Sequence, residues 1–119
     1  MKDGPIYLAT PYSHPEKPTM LARFHAVNKV AAALMNRGFH VFSPISHSHP
    51  IAEAGDLPLS WDYWEKYDRI ILGMCSSVLV LKIDGWDRSK GVLAEIEIAR
   101  ELGLLVNFVD EEGLIGDPV

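Results

Sequence analysis

The chain lacks most of the features that would place it in a class at first sight. Cys75 is the one cysteine among 119 residues, so no disulfide can close within the chain and a reducing compartment is expected. It sits inside the apolar stretch 70–81, where a thiol packs as a small hydrophobe rather than acting as a nucleophile. No apolar stretch is long enough to span a bilayer, and Met1-Lys2-Asp3-Gly4 shows no apolar signal region. The expectation is a soluble, cytoplasmic protein with no membrane partner. Basic residues are in deficit, 11 Lys and Arg against 16 Asp and Glu, and they are scattered. That argues against a nucleic-acid polymer as partner, because a phosphate backbone is tracked by a basic face. A nucleotide monomer needs only a local anion site and stays compatible. GxGxxG and GxxxxGK[ST] are both absent, which argues against the usual dinucleotide-binding and NTPase chemistries.

What is present is a regular alternation. Four β-rich runs, Pro5–Ala9, Phe39–Ser43, Ser77–Ile83 and Leu104–Val109, are nearly continuous in apolar residues, as in strands buried on both faces. Helical patterns separate them: one from Thr19 as N-cap to Asn36, one from Ser60 to Gly73, one from Ser89 to Gly103. This order predicts a single α/β domain over residues 1–119, a flavodoxin- or Rossmann-like parallel sheet of four to five strands with helices on both faces. Ligands on such sheets bind beyond the carboxyl ends of the strands. The loops Thr10–Pro18, Pro44–Leu59 and Asp84–Arg88 and the chain from Asp110 onward should converge there. The tail 110–119 is expected to be loose or to reach a neighbouring subunit.

Two acids interrupt helix faces that should be apolar. Glu95 has Gly91 and Val92 one turn before it and Ile98 and Ala99 one turn after, whereas Glu97 sits among Leu93, Ala94, Arg100 and Glu101. Asp68 lies one turn after Trp64 and one before Ile71 and Leu72, while Asp62 is spaced to pair with Lys66. A carboxylate on a buried face is costly unless it is paired, hydrogen-bonded or open to a cleft. Glu95 is thus either an acid in a cleft or one at the margin of the stripe. Asp68 is either its companion or a structural acid that caps a loop or meets an arginine. Ser89-Lys90-Gly91-Val92 opens the third helix and offers an anion site at its N-terminus, or simple capping. Trp61, Trp64 and Trp86 could stack on a flat ring or pack in the core. His47-Ser48-His49 has HxH spacing with no third ligand evident, so no metal and no cofactor is expected.

Taken together, the segments resemble the nucleoside 2-deoxyribosyltransferases and their relatives, the nucleoside 5'-monophosphate N-glycosidases. The matching pieces are Ile6-Tyr7-Leu8-Ala9-Thr10-Pro11, Gly38-Phe39-His40-Val41-Phe42-Ser43-Pro44, Asp68, and Ser89-Lys90-Gly91-Val92-Leu93-Ala94-Glu95. Trp61-Asp62-Tyr63-Trp64 and Gly85-Trp86 look like a little-characterised bacterial and phage branch of that superfamily. The resemblance implies cleavage or transfer of an N-glycosidic bond through a glutamyl glycosyl-enzyme intermediate. In it Glu95 is the nucleophile, Asp68 assists proton transfer to the leaving base, and Tyr7 holds the Glu95 carboxylate by its hydroxyl. That bond and the helix N-terminus should lower the Glu95 value, leaving Asp68, beside Trp64, as the acid with the raised one. Ser89 and Gly91 match a 5'-phosphate position; Thr10, Ser13, Ser43, His47 and Trp86 are further expected substrate contacts. A small nucleoside or nucleotide is the expected partner, along with further copies of the chain in a homo-oligomer, dimer or tetramer. The alternatives are a non-catalytic nucleotide sensor and a protein-interaction module on the same fold.

Overall fold

In the computed structural model, which describes residues 3–119, β1 (Ile6–Ala9) organises the molecule by sending alternate side chains to opposite faces. Tyr7 and Ala9 join Val78 and Val80 of β3 (Ser77–Leu81) on one face, whereas Leu8 joins Leu79 and Leu81 on the other. Each face is covered. Val27, Val30, Ala31 and Leu34 of α1 (Lys17–Asn36) seal the Leu8 side. Leu72 of α3 (Trp61–Met74) and Val92, Ile96 and Ala99 of α4 (Lys90–Glu101) seal the Tyr7 side. The expected α/β layering is what the chain adopts.

The five-stranded sheet has the order β2-β1-β3-β4-β5, with β2 at Val41–Phe42, β4 at Val106–Val109 and β5 at Ile115–Pro118. The first four strands are parallel, and β5 is antiparallel to β4. This is the flavodoxin-like order, whose direction of winding reverses between β1 and β3, leaving a crevice beyond their carboxyl ends. Among the described residues no helix is long and apolar enough to cross a membrane.

Three local expectations change. The Pro-, Ser- and His-rich segment after β2, expected as loop, begins with a helix, α2 (Pro44–Gly55). Ser43 leaves the strand to cap it, accepting from the Ser46 amide, and Pro44 occupies the first turn, where a missing N–H costs nothing. The first long helix starts two residues before Thr19, with Glu16 as its N-cap and a proline in its first turn. The tail folds back on the sheet as β5. Its turn is tied by Asp110 Oδ1, which accepts from the amides of Glu112 and Leu114 at 2.9 Å each, and Gly113 takes the left-handed φ of 83° that the turn requires. Gly116, Asp117 and Pro118 are poor strand formers, tolerated because every residue of this edge strand is exposed.

Candidate active site

A cleft of about 340 Å³ opens at the carboxyl end of the sheet, beside the reversal between β1 and β3. Its size is within the range of small-molecule sites. Thr10, Tyr12 and Ser13 approach from the loop after β1, and Pro44, Ile45 and Ser48 from α2. Trp61, Trp64 and Asp68 come from α3, and Ser89, Lys90, Gly91 and Glu95 from the start of α4.

Glu95 and Asp68 are the acids of its inner wall, 5% and 7% exposed. Tyr7, wholly buried on β1, donates its hydroxyl to Glu95 Oε2. The parallel register puts Tyr7 opposite Val78, on the face that carries α3 and α4, and so beneath both acids. Burial pushes the Glu95 carboxyl from 4.5 up to about 8; the Tyr7 hydrogen bond pulls it down and the nearby Asp68 charge pushes it up again. Burial alone takes Asp68 from 3.8 to about 7. The same surroundings, burial first and then the charge of Glu95, raise the Tyr7 phenol well above 10. The spacing of Glu95 in a helix N-terminal region and its tyrosine partner pointed to Asp68 as the acid with the higher value. Desolvation reverses that order, because Glu95 lies deeper.

Asp68 is neither a loop cap nor half of an ion pair: among the described residues no hydrogen bond or cation offsets its burial. No side-chain oxygen among the described residues is both sealed from solvent and unpaired, so the Asp68 carboxyl opens to the cleft that it lines and is available to whatever fills it. Asp62 likewise departs from its expected helical partner and reaches across the mouth to Lys90 Nζ at 2.9 Å.

Six of the expected site residues meet in this cleft: Glu95, Asp68, Thr10, Ser13, Ser89 and Gly91. Tyr7 lies behind its wall. Ser43, His47 and Trp86 do not line it. Ser43 is occupied in capping α2, with Ser46 Oγ also bonded to it at 2.6 Å. His47 Nε2 meets the Tyr67 hydroxyl at 2.9 Å, and the two rings stack. Trp86 packs edge-on against Phe108 of β4, 4.8 Å between centroids, which is the core role. The HxH pair is not a chelate, since residues two apart on a helix point away from each other. His49 turns instead to the hydroxyl of Tyr12 and lies stacked on Phe24 at 4.1 Å.

The mouth carries the charge. Ser89 Oγ accepts from the Val92 amide at 3.2 Å, capping α4. The Lys90 and Gly91 amides, first in the helix, have no acceptor within it. Arg88 and Lys90 flank them, though Arg88 is paired with Asp84 at 3.2 Å and Asp87 at 3.4 Å, and all of these side chains are exposed. Sequence reasoning missed Tyr12, Ser48, Ser60 and the Arg88 cation, next to the expected Ser89-Lys90-Gly91 anion site, as neighbours of the site. The contiguity of Arg88-Ser89-Lys90 was the available signal for the last of these. Arg23 was missed too: its guanidinium donates to the carbonyls of Ser13 at 3.2 Å and Asp84 at 3.4 Å, tying the loop after β1 to the loop after β3.

Residues 4–111 match the model of a family described as a domain of unknown function. No curated protein gives a significant match.

Proposed function

The chain belongs to the DUF1937 family, and we propose that its cleft cleaves or transfers the N-glycosidic bond of a nucleoside or nucleoside 5'-monophosphate, with Glu95 as nucleophile. The observation that carries this reading is the pair of buried carboxyls, Glu95 and Asp68, one held by the Tyr7 hydroxyl and the other without any protein partner. Displacement at an anomeric carbon builds positive charge on the sugar, and a carboxylate both stabilises that charge and traps it as an ester. The C–N bond breaks as the Glu95 oxygen bonds to the anomeric carbon, and the leaving base takes its electron pair and a proton from Asp68. Water, or a second base, then displaces Glu95.

With the two carboxyls pushed up to about 8 and about 7, burial keeps a proton on the pair at neutral pH. A cation-like sugar beside Glu95 favours charge there, as does the Tyr7 O–H, and leaves the proton with Asp68. Trp61 and Trp64 offer apolar faces to a flat base. The free amides of Lys90 and Gly91, with Arg88 and Lys90, suit a 5'-phosphate at the mouth. Assembly into a homo-oligomer belongs to the same reading.

The depth of Glu95 also suits a non-catalytic nucleotide sensor: burial, which pushes its carboxyl up to about 8, favours the protonated form, and that form donates a hydrogen bond to a ligand instead of attacking it. Measuring base release from a panel of nucleosides and nucleoside 5'-monophosphates, alongside binding, separates the two. Release catalysed by the wild type and lost in Glu95→Gln supports the enzyme; binding without release supports the sensor.

A further inference from the structure

Thirteen large apolar side chains are exposed among the described residues, and no helix other than α3 carries more than two of them. Helix α3 carries Tyr63, Tyr67, Ile70 and Met74, exposed by 48, 42, 67 and 54%. Their spacing of four, three and four residues is the seam of a helix pair rather than a scatter. The opposite face of the same helix already packs in the core through Leu72. We propose that this stripe is the surface through which two copies of the chain associate, α3 lying antiparallel on the α3 of the second copy about a two-fold axis.

The stripe is complementary to itself. Antiparallel pairing about its midpoint sets Tyr63 against Met74 of the second copy and Tyr67 against Ile70, each contact occurring twice, as a two-fold interface requires. Aromatic rings then meet a thioether and a branched aliphatic side chain. Charge agrees with this direction. Asp62 occupies the first turn of α3, but no basic residue occupies its last. At 1.5 Å per residue, the antiparallel register brings Lys66 to within ~5 Å along the axis of the end of the other copy's α3, where free carbonyls accumulate. Gly73 leaves open space on that flank.

The aromatics are fixed before any contact forms. Tyr67 is held by His47 at 2.9 Å, and Trp64 packs edge-on against both Tyr67 and Tyr63, at 5.7 and 5.3 Å. Rigid anchors lose little side-chain freedom on association. The four side chains offer roughly 450 Å². With Ile71 and the aliphatic stem of Lys66 beside them, each copy offers roughly 550 Å², about 1,100 Å² in all, near the ~1,000 Å² that a specific interface must clear. The surface deepens the homo-oligomer reading but does not depend on the chemistry assigned to the cleft.

Sedimentation equilibrium of the full chain from 10 to ~200 μM tests it. The wild type should run at twice 13.3 kDa. Ile70→Glu should run as the monomer, with association at least ~100-fold weaker and an unchanged circular dichroism spectrum, because the side chain faces solvent. Leu105→Glu, 77% exposed elsewhere, and Glu95→Gln should both stay dimeric. On the folded protein, Tyr63→Cys mixed with Met74→Cys should give disulfide-linked pairs that neither variant forms alone. A wild type monomeric at ~200 μM, a dimer that survives Ile70→Glu, or covalent pairs of Met74→Cys alone would each overturn the proposal.

Discussion

Replacing Glu95 by Gln removes one ionisable proton from the inner wall of the cleft while keeping its shape and an oxygen that accepts from Tyr7. The consequence for stability follows from the direction of the shift. A carboxyl whose value rises on folding binds its proton more tightly in the folded chain. Its burial therefore costs nothing below the ordinary value of 4.5, and the cost grows as pH rises through about 8. At ~1.4 kcal/mol per pH unit, that interval sets a ceiling of roughly 5 kcal/mol. Water entering the cleft and relaxation of its walls lower this, so the expected gain for Glu95→Gln at pH 9.5 is about 2–4 kcal/mol. At pH 4.5 the two proteins should agree within about 1 kcal/mol. Urea unfolding followed by the fluorescence of Trp61, Trp64 and Trp86 at both pH values gives the comparison. Titrating groups that do not interact with Glu95 cancel in the difference between variant and wild type. Asp68→Asn should shrink the Glu95 contribution, since the Asp68 charge is one of its causes. A Glu95→Gln variant no more stable than wild type at pH 9.5 than at pH 4.5 would refute the account of Glu95 as a desolvated acid.

Base release should follow a bell against pH, rising as the Glu95–Asp68 pair loses its first proton and falling as it loses the last; a rate flat from pH 6 to 9 is the contrary result. Tyr7→Phe removes the one interaction that lowers the Glu95 value, so kcat should drop ~10–100-fold with a limb of the bell moved to higher pH. An unmoved limb would reduce Tyr7 to a packing role. Ser89→Ala should lower stability by about 1 kcal/mol through loss of the Val92 cap, and its effect on kcat/KM should be confined to phosphorylated substrates. Gly91→Ala should fold normally, because an added methyl meets Trp61 at an ordinary 3.6 Å. Narrowing the mouth there should weaken nucleotide binding in calorimetry, and unchanged affinity would place the ligand elsewhere.

The layering and the inward direction of Glu95 were legible because both rest on periodicity. The runs 5–9 and 77–83 are nearly continuous in apolar residues since both sheet faces are covered, and the neighbours of Glu95 one turn away are apolar since the helix buries that side. Helix α2 was not legible, because Pro44 and Pro50 read as breakers although the first turn tolerates one and the helix is short. Strand β5 was hidden by Gly116, Asp117 and Pro118, which an exposed edge accepts. Ser43, His47 and Trp86 belong to segments near the cleft but point elsewhere, and spacing alone does not resolve direction within a loop or a short 3₁₀ turn. The ordering of the two carboxyl values depended on depth of burial, which only the assembled structure supplies.

In the proposed mechanism Glu95 carries the sugar between two half-reactions. Acid-quenching the protein during turnover of a nucleoside or its 5'-monophosphate, then mapping the peptides by mass spectrometry, reads this directly. The account predicts a glycosyl adduct on the Glu95 side chain that appears with base release and vanishes in Glu95→Gln. Base release that proceeds in Glu95→Gln, or an adduct found on another residue, would contradict it.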